Sequence, residues 1–160
     1  MSHRSGQKGM TLVEVMIASA ITAVIAGGLS VAIFMTVNVS GRGNDEASAM
    51  HDVQTASYWI SHDTQMASTT DLVEAAEAVD SVVLEWTGCY GNSHTSTYSL
   101  SGTELQRDYD GATITVAQYV SLVEFYISGN VLTFRIESNP PGRWNVSQDM
   151  TGNACLRPNT

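Results

Sequence analysis

Charge is scarce in this chain, and basic charge most of all. Only 14% of its 160 residues are charged, and seven lysines and arginines face sixteen aspartates and glutamates, for a formal net charge of -9. An acidic surface repels phosphate backbones, which argues against general nucleic-acid binding. Cysteine is nearly absent: Cys89 and Cys155 are the only two, and no C-x-x-C pair exists to build a structural zinc site. His51, His62 and His94 match no zinc spacing and read as solvated side chains. There is no P-loop and no G-x-S-x-G elbow. With no catalytic constellation in view, neither an enzyme nor a cofactor or metal is expected. Internal repeats and low-complexity tracts are also missing, and the length fits one domain.

What the chain does have is a long apolar run behind a basic leader. Met1 to Gly9 is short and polar, with His3, Arg4 and Lys8 and no acid. From Met10 the residues turn apolar and stay so to Val39, with Glu14 as the only charge. The 23 residues from Val15 to Val37 carry none. As a helix rising about 1.5 Å per residue, such a stretch spans roughly 35 Å, enough for a bilayer. The basic leader keeps the N-terminus cytoplasmic, and the remainder then lies outside. A secretory signal peptide would be shorter and would end in a small-x-small cleavage site. A plain single-pass anchor explains the length but not Glu14, because a carboxylate at the start of a membrane helix costs a few kcal/mol unless it is paired.

Gly9-Met10-Thr11-Leu12-Val13-Glu14 resembles the processing site of type IV prepilins and type II secretion pseudopilins. The resemblance covers roughly the first thirty residues. It implies that a membrane-embedded aspartyl prepilin peptidase cuts between Gly9 and Met10, and that Met10 is then N-methylated. It further implies that Glu14 pairs with the Met10 amine of a neighbouring subunit during assembly. Two opposite buried charges brought together offset much of the cost each carries alone, so the pair favours one docking register. Two departures from the family pattern point to a minor subunit. Met10 stands where phenylalanine is most frequent, and the run lacks the usual helix proline, the first proline of the chain being Pro140. Gly27-Gly28 occupies that part of the run, either as a flexible point or for close small-residue packing.

After the run, Gly41-Arg42-Gly43-Asn44-Asp45 reads as a break that loosens or kinks the helix, with Asp45 and Glu46 at a renewed start. Met50, Val53, Ser57, Ile60, Thr64 and Ala67 then recur at helical steps. This stripe would face a sheet and leave Asp52, His62 and Asp63 mostly wet. Leu72 to Asp80 reads as a loop or short helical turn, and beyond it the period becomes two. Ser81–Trp86 is a strand, and Thr97–Leu100 and Thr103–Tyr109 flank the turn Ser101-Gly102. Ala112–Val116 is a short strand. Tyr119–Ile127 and Val131–Ile136 form the clearest hairpin, and the tail after Pro141 is polar. Asp108-Tyr109-Asp110-Gly111 opens like a calcium loop, but position 119 is Tyr119 rather than the closing glutamate, so a turn is expected. Trp86, Tyr90, Tyr109 and Trp144 are candidates for an adhesive surface, with core and turn packing the more ordinary use.

The expected fold is α+β: a long N-terminal helix, transmembrane in its first half and amphipathic in its second, packed on a C-terminal antiparallel β-sheet head. The expected parts are 1–9 leader, 10–40 membrane and assembly helix, 41–67 amphipathic helix and 68–160 extracytoplasmic head. An exported head makes a Cys89–Cys155 disulfide plausible, worth about 4 kcal/mol by loop closure, with two separate thiols as the alternative. The order of helix, aromatic strand and hairpins is similar to minor pilins and pseudopilins of the PilW and GspJ kind, whose helix often carries a segment like Trp59–Ala67. That similarity implies a place in the tip complex that primes assembly. It also implies other pilin or pseudopilin subunits, the peptidase and an inner-membrane platform with a separate ATPase as partners, with membrane lipid around the helix before assembly. The destination would be a type IV pilus, a secretion pseudopilus or a competence pseudopilus. The remaining alternative is an unprocessed, single-pass anchored binding domain.

Overall fold

The computed structural model describes residues 10–74 and 76–158. One helix, α1 (Leu12–Met66), precedes eight strands: β1 (Thr69–Thr70), β2 (Ser81–Thr87), β3 (Ser93–Ser101), β4 (Glu104–Tyr109), β5 (Ala112–Ala117), β6 (Val120–Ser128), β7 (Val131–Ser138) and β8 (Gln148–Cys155). The chain divides into two units, Met1–Gly41 and Arg42–Thr160.

In the first unit, the described residues are helical from Leu12 and exposed on every face through Val37. Gly27 and Gly28 sit inside the helix, and a Cβ added at either would meet nothing within 4 Å. Neither glycine breaks the helix.

The expected break at Gly41-Arg42-Gly43-Asn44-Asp45 is not there, since α1 is continuous from Leu12 to Met66. Each glycine costs about 1 kcal/mol relative to alanine, but extending an existing helix is cheap compared with starting one. An exposed Arg42–Glu46 ion pair, 2.9 Å long, lies across the same turn. Asp45 and Glu46 are therefore mid-helix residues rather than a renewed start.

In the second unit, the α1 residues from Ala49 onward pack on two antiparallel sheets, ordered β1-β2-β3-β4-β5 and β6-β7-β8. The sequence pattern dictates the inward faces. Val82, Leu84 and Trp86 alternate inward along β2, and Leu132, Phe134 and Ile136 along β7. They meet Val53, Ala56 and Ile60 from the helix and Tyr98, Leu105, Val120, Val123 and Phe125 from the other strands. The helix stripe is rotated from the expected one. Ala49, Asp52, Val53, Ala56, Ile60, Asp63 and Thr64 are buried, while Met50 is 39% exposed. Small residues rather than Met50 let the helix approach the sheets.

Asp52 and Asp63, expected to be wet, are 8% and 1% exposed. The Gln118 and Tyr119 amides donate to the Asp52 carboxylate at 3.4 and 3.2 Å, and Ser138 Oγ donates to it at 3.2 Å. Asp52 thus joins the helix to the β5–β6 connection and to the end of β7.

Strand β8 lies in the segment that reads as a polar tail. Its sequence alternates weakly because Met150 is the one large apolar side chain at its inward positions, beside Gln148, Gly152 and Ala154. Gly152 pairs with Phe134, and a Cβ at Gly152 would strike the Phe134 ring. Gly152→Ala is expected to destabilise the head by about 1–3 kcal/mol through overpacking. A lowered urea midpoint of the full chain in detergent checks this, and an unchanged midpoint would show that the ring moves aside freely.

Candidate functional site

The residues singled out for processing lie at the start of α1. Gly9, with the rest of the leader, lies outside the described residues; Met10 is 66% exposed. Thr11 sits just before the helix. Its Oγ1 accepts from the Glu14 amide at 3.3 Å, and its carbonyl accepts from the Val15 amide at 3.2 Å. Thr11-Leu12-Val13-Glu14 therefore has the T-x-x-E form of a capping box, with Glu14 in the first turn, where negative charge complements the helix dipole. The cap engages the Glu14 backbone amide, and the Glu14 side chain accepts no return bond from the Thr11 amide among the described residues.

Beyond Glu14 the segment is prepared for an environment without water. Its four hydroxyl side chains between Leu12 and Val37 all donate back to helix carbonyls. Ser19 bonds Met16, Thr22 bonds Ala18, Ser30 bonds Ala26 and Thr36 bonds Ala32, at 2.8–2.9 Å. Backbone and hydroxyl groups are thus satisfied within the helix, as a hydrocarbon surrounding requires. Leu12, Val24, Leu29, Ile33, Phe34 and Val39 are among the side chains at least 57% exposed. A helix apolar all round belongs in a membrane or in the centre of a bundle. Among the described residues, one helix is long and apolar enough to cross a bilayer. Among those residues too, the Glu14 carboxylate has no hydrogen-bond or ion-pair partner.

The other candidates do not gather into a site. Cys89 and Cys155 are both free and exposed, so the disulfide considered from sequence is not formed in this structure. They stand in different places, Cys89 in the turn after β2 and Cys155 at the end of β8, which pairs in the other sheet. Asp110-Gly111 forms the two-residue turn of the β4–β5 hairpin, both residues at positive φ (50° and 88°), as a type I′ turn demands. Its acids are already engaged. Asp108 accepts from the Gly111 amide at 2.9 Å and from Thr113 Oγ1 at 2.8 Å. Asp110 accepts from the Thr95 amide at 2.8 Å and from His94 Nδ1 at 2.7 Å, and the His94 contact, followed by the Thr95 amide, holds its carboxyl below the ordinary carboxylate range. Among the described residues there is no group of three or more metal-ligating side chains. His94 is also not simply solvated: it packs with Trp86 and Tyr109, the three rings 5.8–5.9 Å apart. Tyr90 is 95% exposed in its turn and Trp144 lies in the β7–β8 loop, so the four candidate aromatics are dispersed between core, turn and loop.

The most developed polar cluster is one that sequence reasoning missed. Asp63 accepts from Ser96 Oγ at 2.6 Å, Tyr98 OH at 2.7 Å, Arg107 Nε at 2.7 Å and Arg107 Nη2 at 3.1 Å, with His62 Nδ1 at 3.2 Å. The Arg107 guanidinium lies 4.8 Å from the ring centroids of both Trp59 and Tyr109. Burial works to raise the Asp63 carboxyl, but the hydrogen bonds, that of Arg107 foremost, outweigh it and hold the group below the ordinary range. Burial, reinforced by the Asp63 charge, pushes the Tyr98 hydroxyl up. The cluster fastens the helix to β3 and β4. The signal was present in the spacing: Asp52, Ala56, Ile60, Asp63 and Ala67 share one helical face.

A family model described as the prokaryotic N-terminal methylation motif matches residues 4–30. No curated protein and no solved structure matches the chain. The matched residues take in the leader, Glu14 and most of the apolar run. Together with the apolar helix they support a prepilin-type structural subunit, of pilin or pseudopilin kind, and fit a membrane-anchored chain.

Proposed function

We propose that this chain is a minor, tip-type subunit of a type IV pilus or a type II secretion-like pseudopilus. A prepilin peptidase cuts between Gly9 and Met10, Met10 is N-methylated, and the apolar helix carries the subunit from the inner membrane into the filament. The head then faces the extracytoplasmic side, and an assembly platform with its own ATPase drives insertion. The observation that carries this reading is the Glu14 carboxylate, without a hydrogen-bond or ion-pair partner among the described residues, in the first turn of a helix whose hydroxyls between Leu12 and Val37 all bond back to helix carbonyls. Cleavage supplies what Glu14 lacks. It creates an amine at Met10, which the helix dipole disfavours at its own N-terminus and which a neighbour's Glu14 neutralises.

The Thr11 cap supports a second reading, an unprocessed anchored domain in which Thr11 and the Glu14 amide simply start a helix. Glutamine tells the two apart, because it leaves that cap in place and removes the charge. Glu14→Gln is expected to fold, enter the membrane and be cleaved, yet to lose incorporation into filaments by at least tenfold, a cost of about 1.4 kcal/mol or more. Glu14→Ala is expected to behave as badly. Immunoblots of sheared filament fractions, compared with membrane fractions, read this out. Normal incorporation of Glu14→Gln would show that the charge is not needed and would favour the second reading.

A further inference from the structure

We propose that the free edge of β5 pairs with an extended segment of a different protein, and that a lysine or arginine of that segment enters the groove beside it to meet Asp52. The edge and the groove both lie within the unit Arg42–Thr160. Strand β5 ends the five-stranded sheet. Tyr109 and Ala112 close the two-residue turn as a hydrogen-bonded pair, and bonded and non-bonded pairs alternate from there. Thr113, opposite Asp108, and Thr115, opposite Gln106, therefore turn their amides and carbonyls away from β4. Among the described residues none of these groups has a backbone partner. The other edges are blunted. Strand β1 has two residues, and β8 carries a charge, Asp149. The outer edge of β6 is engaged by Val79, which exchanges bonds of 3.0 and 2.8 Å with Phe125. Strand β5 has neither charge nor proline, two of the devices that protect an edge. Its irregularity, at the Leu105–Gln106 step, comes after Thr115 and leaves the pairing before it regular.

The edge leads into an open groove of about 530 Å³, lined by His51, Asp52 and Thr55 of α1 and by Thr115, Val116 and Tyr119 at and beyond the end of β5. Asp52 is buried, and among the described residues it has no ion-pair partner. Asp63, the other buried acid of the helix, has Arg107. The three bonds that Asp52 accepts are long, at 3.2–3.4 Å, and leave acceptor capacity on its oxygens. A buried charge without a counter-charge is costly, so a cation brought into this groove gains more than one on the open surface.

Charge selects the partner. The Thr113 and Thr115 hydroxyls donate to Asp108 at 2.8 Å and Glu104 at 3.2 Å, so two more acids border the place of the added strand. Ile114 is 45% exposed and offers that strand an apolar contact. The segment that fits is extended, apolar where it covers Ile114 and basic where it reaches the groove. A second copy supplies no such strand. It brings the same net charge of -9, and the arginines on its strands, Arg107 and Arg135, are held by Asp63 and Glu124.

Hydrogen exchange at single amides of the full chain in detergent micelles tests this. The probe is a short blocked peptide of alternating valine and threonine with a lysine at each end. Millimolar peptide is expected to slow exchange of the Thr113 and Thr115 amides. The same peptide ending in glutamine or glutamate should bind more weakly, by about tenfold or more. Thr113→Pro removes an outward amide at an edge, where proline is tolerated, and should abolish the protection at Thr115. Asp52→Asn should bring the lysine peptide down to the level of the glutamine one. If that variant fails to fold, the three peptides on the native chain decide alone. Equal binding of the lysine and glutamate peptides overturns the Asp52 contact. Protection along β8 instead, or none at Thr113 and Thr115, overturns the pairing at β5. Protection of those two amides that needs no peptide and rises with protein concentration assigns the edge to a second copy and overturns the different partner.

Discussion

Asp63→Asn is expected to destabilise the head by about 3–5 kcal/mol, because it strands the Arg107 charge in a nearly dry site. The asparagine keeps a carbonyl for Ser96 and Tyr98, so the loss reports mainly on the ion pair. The Arg107 side chain is 10% exposed and that of Asp63 1%, so solvent screens the pair little. Adding Arg107→Met should recover part of the loss, since two neutral residues no longer bury an uncompensated charge. The native pH profile carries the same signature. The Asp63 carboxyl is held below its unfolded value of about 3.9, so its contribution is complete above that pH and fades as pH falls through the lower folded value. Asp63→Asn should lack this acid limb. Urea midpoints of the full chain in detergent, measured across the acid range, check both points. A variant with the native midpoint and the native acid limb would mean that the cluster contributes nothing to stability.

Gly9→Val is expected to stop maturation almost completely. A branched side chain at the cut would crowd the peptidase where glycine offers bare backbone. The retained leader would also keep Arg4 and Lys8 ahead of the helix and leave no amine at Met10. Glu14 would then have no neighbouring charge to meet, and the carboxylate would keep its cost in the membrane. Co-expression with a prepilin peptidase should convert the native chain to a form shorter by its nine leader residues and leave Gly9→Val at full length. Conversion of both at equal rates would separate the motif from any peptidase.

Much of this molecule was readable in advance because two of its patterns are strong. The uncharged run is long enough to cross a bilayer, and alternation marked β2 and β7. The hairpin turns announced themselves through Ser101-Gly102, Asp110-Gly111 and Ser128-Gly129. What escaped were features whose sequence signal is weak or points the wrong way. Strand β8 was hidden because Phe134 fills the space a side chain at Gly152 would need, which leaves Met150 and Ala154 as the strand's apolar inward residues. Asp52 and Asp63 looked like surface acids because burial of a carboxylate depends on partners 33 to 86 residues away, such as Ser96, Arg107 and Ser138. The helix break was overcalled because glycine weakens a helix without stopping it. At the N-terminus the sequence shows one charge, Glu14, in an apolar run. The cap that Thr11 makes with the Glu14 amide, which does not involve the carboxylate, is a feature of the same turn that the structure adds.

Recovering the protein from cells that assemble filaments and measuring the mass of its N-terminal peptide tests the central claim most directly. A peptide that begins at Met10 and carries one methyl group on its amino nitrogen is the expected result. A peptide that begins at Met1, with the leader intact in assembled material, would contradict it.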